Sequence, residues 1–238
     1  MLGGWSRTSI VGKPLDVFDP GSPTSSGVVI WLHDEQGESP ATDPFVTAEL
    51  QQRRIRCVAP LTQSSWWVDR INPEFDPTLT AERHLLDNLV PWLRVQNWLG
   101  SRPLALAGVG MGGQGALRLG FRYPNLFRVV ASLDGALDFH ERYGQATPLD
   151  RMYPHREAVR QDTAILQIDS LNWPAHIWFA CSLTSPWYRG NDRLLEKLRA
   201  YGIPHTAHLD AVFETNAYLA SMLEFVIGSV NRESRRLL

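Results

Sequence analysis

The chain has 238 residues, 44% of them hydrophobic and 20% charged, with a formal net charge of −2. Such a composition belongs to an ordinary globular domain, able to bury about 70–75% of the surface of its unfolded form without disulfide or metal staples. The near-neutral balance and the scattered arginines give no sign of a nucleic-acid or anionic-membrane partner.

Alternating patterns divide the chain into strands and helices. TSIVGKPLDVF predicts a leading hairpin with a Gly-Lys turn, GVVIWLH a buried strand, DPFVTAELQQR a helix and RIRCVAP the next strand. From Thr80 to Trp98 the apolar spacing predicts a helix, with Pro91 as a kink. LALA then reads as a strand, residues 113–122 as a helix and FRVVASL as a strand. Residues 134–174 are mixed, with a short helical piece at HREAVRQDTA. HIWFACS, NDRLLEKLRAYG, HTAHL and residues 217–230 complete the alternation as strand, helix, strand and helix. The expectation is a single α/β domain over residues 1–238, with a mainly parallel sheet flanked by helices and a leading antiparallel hairpin. Functional residues are then expected in the loops after the strands. Cys57 and Cys181 lie in apolar segments and read as buried thiols. MLGGWSRTS has no apolar signal-peptide core, so a cytoplasmic protein is the default expectation.

The segment from Leu104 to Pro124, LALAGVGMGGQGALRLGFRYP, has the strand–turn–helix shape of a nucleophile elbow, G-x-S-x-G. Its middle position is Gly110. Gly108, Gly110 and Gly113 also match a dinucleotide fingerprint, with Asp134 as the ribose-binding acid, but that fingerprint belongs to a first βαβ unit and at least three strands precede it here.

The longer segment from Leu85 to Phe139 resembles the esterase D and S-formylglutathione hydrolase-like esterase family of the α/β-hydrolase superfamily. The family elbow commonly reads G-x-S-M-G-G-x-G-A-L, and this chain reads G-V-G-M-G-G-Q-G-A-L. VVIWLHDEQG resembles the family's oxyanion loop, and the likeness extends more weakly over most of the chain. The resemblance implies an α/β-hydrolase fold, no cofactor and no bound metal, and a Ser–acid–His triad at three places. Gly110 occupies the nucleophile position. The acid position, after HIWFACS, runs from Cys181 to Ser185 without a carboxylate, and none follows before Asp192. The base position falls at Phe213 or Glu214, and no histidine follows His208. The expected oxyanion donors are the Met111 N–H and the loop at His33, Asp34 and Glu35.

Other residue types carry weaker chemistry. A regrouped hydrolase site around His33, Asp34 and Ser132 is one alternative, and a nucleotide site at Gly108–Gly113 another. His205, His208 and Asp210 look like a metal cluster, but positions three apart on a strand face opposite sides. His140-Glu141 lacks a second histidine, and Asp138 and Asp169 read equally as turn or cap residues. Trp66, Trp67 and Trp187 are expected at the rim, either lining an apolar pocket or plugging it, with Asp69, Arg70 and Arg189 as polar guides. The functional expectation is a catalytically degenerate esterase-like protein that binds a small apolar or acyl-type ligand or a protein partner.

Overall fold

The computed structural model describes residues 3–22, 27–99, 101–212 and 214–236. Eight strands form one sheet: β1 (Gly4–Ile10), β2 (Lys13–Asp19), β3 (Val28–Leu32), β4 (Arg56–Pro60), β5 (Leu104–Val109), β6 (Val129–Leu133), β7 (His176–Ala180) and β8 (Thr206–His208). Their spatial order is β1-β2-β4-β3-β5-β6-β7-β8. The β1–β2 and β2–β4 pairs are antiparallel, and every other pair is parallel. The expected leading hairpin is present, but its turn lies one residue earlier than the sequence suggests. Ile10 pairs with Lys13, and Val11 and Gly12 take φ of 51° and 73°, the geometry whose twist suits a two-residue hairpin.

Helices α1 (Pro44–Arg53), α2 (Ala81–Arg83), α3 (Val90–Arg94), α4 (Met111–Arg122), α5 (Leu149–Met152), α6 (Arg156–Gln161), α7 (Tyr188–Ala200) and α8 (Thr215–Arg236) connect the strands. Strands buried along their whole length, such as β3, β4 and β6, require cover on both faces. One apolar layer packs Leu32, Leu106 and Val130 under Leu117 of α4 and Leu194 of α7. The other packs Val29, Ala107 and Trp178 under Val46 of α1 and Leu223 of α8.

The segment from Thr80 is helical as expected, with Thr80 Oγ1 accepting the Arg83 N–H. A π-helical stretch, His84–Leu89, separates α2 from α3, and Pro91 sits in the first turn of α3, where its missing N–H costs little. Among the described residues, no helix is long and apolar enough to cross a membrane.

Candidate active-site crevice

In this sheet the chain moves outward from β3 to β4 on one side and to β5 on the other, so the crevice opens beyond the carboxyl ends of β3 and β5. The loop after β3 carries His33, Asp34 and Glu35, and the turn after β5 is Gly110.

Gly110 has φ 56° and ψ −118°, a conformation that a side chain strains. Its N–H donates to the Leu133 carbonyl at 3.0 Å, and its own carbonyl accepts from Gln114 and Ala136 at 3.1 and 2.9 Å. Three backbone bonds therefore hold a sharp strand-to-helix turn. A Cβ built at Gly110 would meet only Asp34 Cβ, at 3.5 Å, so there is room for a side chain. Gly112 is different: a Cβ there would collide with the Leu32 carbonyl, so the residue is needed for α4 to close onto β3. The other members of the glycine cluster pack likewise, Gly108 against the Gly112 backbone and Gly113 against Ser132 Oγ. Close helix–sheet packing accounts for Gly108 and Gly113, and the positive φ of the turn for Gly110.

His33 is buried, and both ring nitrogens are engaged. Nδ1 lies 2.7 Å from the Asp34 carbonyl, and Nε2 accepts the Thr62 N–H at 2.9 Å. Burial drives its pKa down to about 4, so the ring is a neutral pin joining the loops after β3 and β4. Ser132 is fully buried beside Gly113 and Gly135, and its hydroxyl has no hydrogen-bond partner among the described residues. The structure therefore leaves neither His33 nitrogen available to activate Ser132.

Asp34 and Glu35 are half-buried at the lip. Burial pushes both carboxyls above their usual range, against the Gln36 and Gly37 N–H groups for Asp34 and the Arg142 guanidinium for Glu35. Met111 opens α4 and is buried, its Sδ accepting the Trp66 N–H at 3.2 Å.

The tryptophans resolve into two kinds. Trp66 and Trp67 both take positive φ (56° and 53°) and are buried to within 1%. Trp66 stacks on Phe139 at 4.9 Å, while Trp67 Nε1 donates to the His33 carbonyl at 3.1 Å. They fill the interior beneath the crevice. Trp187 stays at the rim, half-buried under the Arg142 guanidinium at 5.2 Å. The supposed polar guides are engaged elsewhere, Asp69 with Thr80, Arg70 with Asp162 and Arg189 with Glu141.

The acid and base positions are tied together. The Leu183 N–H donates to the Ala211 carbonyl at 3.2 Å, joining the loops after β7 and β8. In the first loop, Ser182 Oγ meets Thr184 Oγ1 at 3.1 Å, and Ser185 Oγ accepts the Trp187 N–H. Phe213 lies outside the described residues. Glu214 is exposed just before α8, where its carbonyl accepts the Tyr218 N–H. His208 faces Trp178 and Tyr218, whereas His205 faces Phe179 on the other side of the sheet. Cys57 and Cys181 are free and buried, which pushes both thiols up, away from nucleophilic pKa values. Asp169 is a turn residue, holding the Leu171 N–H, while Asp138 pairs with Arg193.

One residue acquires a place that its sequence position did not reveal. Asp134, the residue after β6, with φ 48°, aims its carboxylate across to the loop after β7 and accepts the Ser182 N–H at 3.0 Å. A carboxylate therefore does reach the acid loop, but from the neighbouring strand and as an anchor for backbone. The sequence reading also missed a cavity of about 190 Å³ beside the elbow, bounded by Trp31, Asp34, Glu38, Val46, Val109 and Leu219. Trp31 and Val109 alternate toward the α1–α8 side of their strands, and that alternation was the available signal.

The strand order, the crevice and the turn at Gly110 define an α/β-hydrolase. Residues 57–207 match the Esterase family model, described as "Putative esterase". The chain belongs to that family. No curated protein matches the sequence. Among solved structures, the chain is similar to the S-formylglutathione hydrolase FrmB from Staphylococcus aureus (11% identity, 97% of this chain and 100% of that one, TM-score 0.78). It is also similar to an S-formylglutathione hydrolase from Agrobacterium tumefaciens (12%, 99% and 100%, 0.73). A third similar structure is MPT51 (FbpC1) from Mycobacterium tuberculosis (16%, 95% and 98%, 0.67). At these identities the likeness is one of fold.

Proposed function

We propose that this chain is a non-catalytic member of its family, an esterase-like scaffold that binds a ligand or protein partner in the crevice at Gly110 without turning it over. The observation that carries the reading is the elbow: the strained turn is retained, with φ 56° and ψ −118°, but the residue on it has no side chain with which to attack an acyl group. The engaged nitrogens of His33 and the serines after β7, Ser182 on the Thr184 hydroxyl and Ser185 on the Trp187 N–H, support the same reading. Backbone oxyanion donors alone would leave about 10³–10⁴-fold acceleration over water, while losing a nucleophile and its base costs about 10⁶ in turnover. The adjoining cavity of about 190 Å³ suits a small apolar or acyl-type ligand. Asp34 and Glu38 on its wall favour a ligand whose polar end donates hydrogen bonds or carries positive charge.

The test is covalent labelling of the wild-type chain. A fluorophosphonate probe is expected to leave it unlabelled, and p-nitrophenyl acetate to turn over no faster than with an inert protein at equal concentration. Stoichiometric labelling, or an acyl adduct mapped to the crevice, overturns the proposal.

A further inference from the structure

The cavity of about 190 Å³ beside the elbow has a chemistry that narrows what the crevice can hold. Three carboxylates stand on its wall, Asp34, Glu38 and Asp43, and no lysine or arginine lines it. The three are not equivalent. Asp43 is the N-cap of α1, its Oδ1 accepting the Phe45 and Val46 N–H groups at 2.8 and 3.2 Å. Asp34 accepts only neutral donors of its own loop, the Gln36 N–H at 3.0 Å among them. Glu38 is exposed and has neither a hydrogen bond nor an ion pair among the described residues. A half-buried carboxylate paired with no cation, as Asp34 is, carries a desolvation cost that a ligand cation offsets.

An acidic wall alone does not define a ligand; Trp31, on β3, adds an independent constraint. The residue is 5% exposed and lines the same cavity. The indole nitrogens of Trp5 and Trp67 donate to Thr47 Oγ1 and to the His33 carbonyl, but that of Trp31 donates to no group among the described residues. Nor is it sealed inside the packing, as Trp66 Nε1 is. A buried indole N–H ordinarily finds an acceptor, and the cavity is where a ligand can supply one. Val46, Val109 and Leu219 complete the lining with apolar surface. Size limits the occupant further: a cavity of about 150 Å³ admits benzene, so one of about 190 Å³ holds roughly eight non-hydrogen atoms.

We propose that the ligand of this crevice is a small primary ammonium compound that also carries a hydrogen-bond acceptor, the chemistry of an amino ester. Asp34 and Glu38 hold the ammonium, the Trp31 N–H donates to the acceptor oxygen, and the carbon chain lies on Val109 and Leu219. Charge-assisted bonds from an ammonium to carboxylates are about twice as strong as neutral ones, so the acidic end sets the preference. This inference rests on the reading of the crevice as a binding site, and it adds the chemical class of what binds.

The experiment titrates the full chain by calorimetry with glycine ethyl ester, at a pH where its amine is protonated. Ethyl propionate, which has a methyl group in place of the ammonium, is the matched neutral probe. Glycine ethyl ester is expected to bind, and ethyl propionate to bind about tenfold more weakly or worse. The double variant Asp34→Asn, Glu38→Gln is expected to weaken binding of the amine by about tenfold or more. Should that variant fail to fold, as read by circular dichroism, Glu38→Gln alone is expected to weaken it about threefold, since Glu38 holds nothing in the fold. Trp31→Phe, which removes the indole N–H and keeps a ring, is expected to weaken both probes about threefold. The inference is overturned if the amine does not bind, if ethyl propionate binds as tightly, or if the folded acid variants bind the amine as tightly as the wild type. Fluorophosphonate labelling of the same preparation separates the two readings. Labelling together with carboxylate-dependent binding keeps this site and overturns the non-catalytic reading, whereas no labelling and no binding overturns this inference alone.

Discussion

At position 110 the backbone favours glycine, while the surrounding space would admit a larger residue. A serine Cβ would sit 3.5 Å from Asp34 Cβ, an ordinary contact, yet at φ 56° and ψ −118° any side chain is strained by about 1–3 kcal/mol. Gly110→Ser is therefore expected to fold with a lowered melting temperature. It is also expected to remain unlabelled by fluorophosphonate, because no ring nitrogen is free to activate the new hydroxyl. Robust labelling of this variant would mean that a working base already faces the crevice. The sequence located the elbow by its glycines and placed Trp66 and Trp67 near it. It left open whether those rings line a pocket or fill the interior, because that depends on two consecutive positive φ angles that no composition rule anticipates. Asp134 escaped for a related reason: its role is to hold a backbone N–H on the next strand's loop, a contact made across the sheet and not along the chain.

Among the elements, α2 and α4 are joined by a buried ion pair. Glu82 and Arg118 are both fully buried and bonded to each other, and Glu82 also accepts from the Tyr123 hydroxyl at 2.6 Å. Asp162 also holds the Arg118 guanidinium, at 3.0 Å, so Glu82→Gln removes one of its two carboxylates and is expected to destabilise the fold by about 1–3 kcal/mol in urea unfolding. The double variant Glu82→Gln, Arg118→Met is expected to recover part of that loss; equal or greater destabilisation would show that the pair is net stabilising. Amphipathic patterning finds helices by assigning charged residues to the solvent face, so it recovers the segment from Thr80 but is blind to a carboxylate turned inward. The π-helical stretch ahead of Pro91 was hidden as well, because a proline in an apolar helix pattern is compatible with either a kink or a wider turn.

For the whole molecule, the alternation of buried strands and helices made the fold class legible, since full burial of β3, β4 and β6 admits only a sheet covered on both faces. Acid sensitivity also belongs to this scale. His33 and His84 are both held down to about pKa 4 by burial, against 6.5 unfolded, so the unfolded chain binds more protons between those values. Their contribution is full above pH 6.5 and is lost as the pH falls toward 4, at most about 3 kcal/mol for each ring. Asp34 and Glu35, pushed up, act in the opposite sense. Denaturant midpoints measured from pH 7 to 4 are expected to fall for the wild type and to fall less steeply for His33→Gln; parallel curves would contradict a neutral buried His33. The distribution of the nine tryptophans has an optical consequence. Trp66, Trp67 and Trp178 are sealed from solvent, while Trp31 stands in the wall of the crevice cavity. The sealed indoles emit toward the blue until the fold opens, and Trp31 responds to whatever enters beside Gly110, so intrinsic fluorescence separates unfolding from occupancy without an added dye.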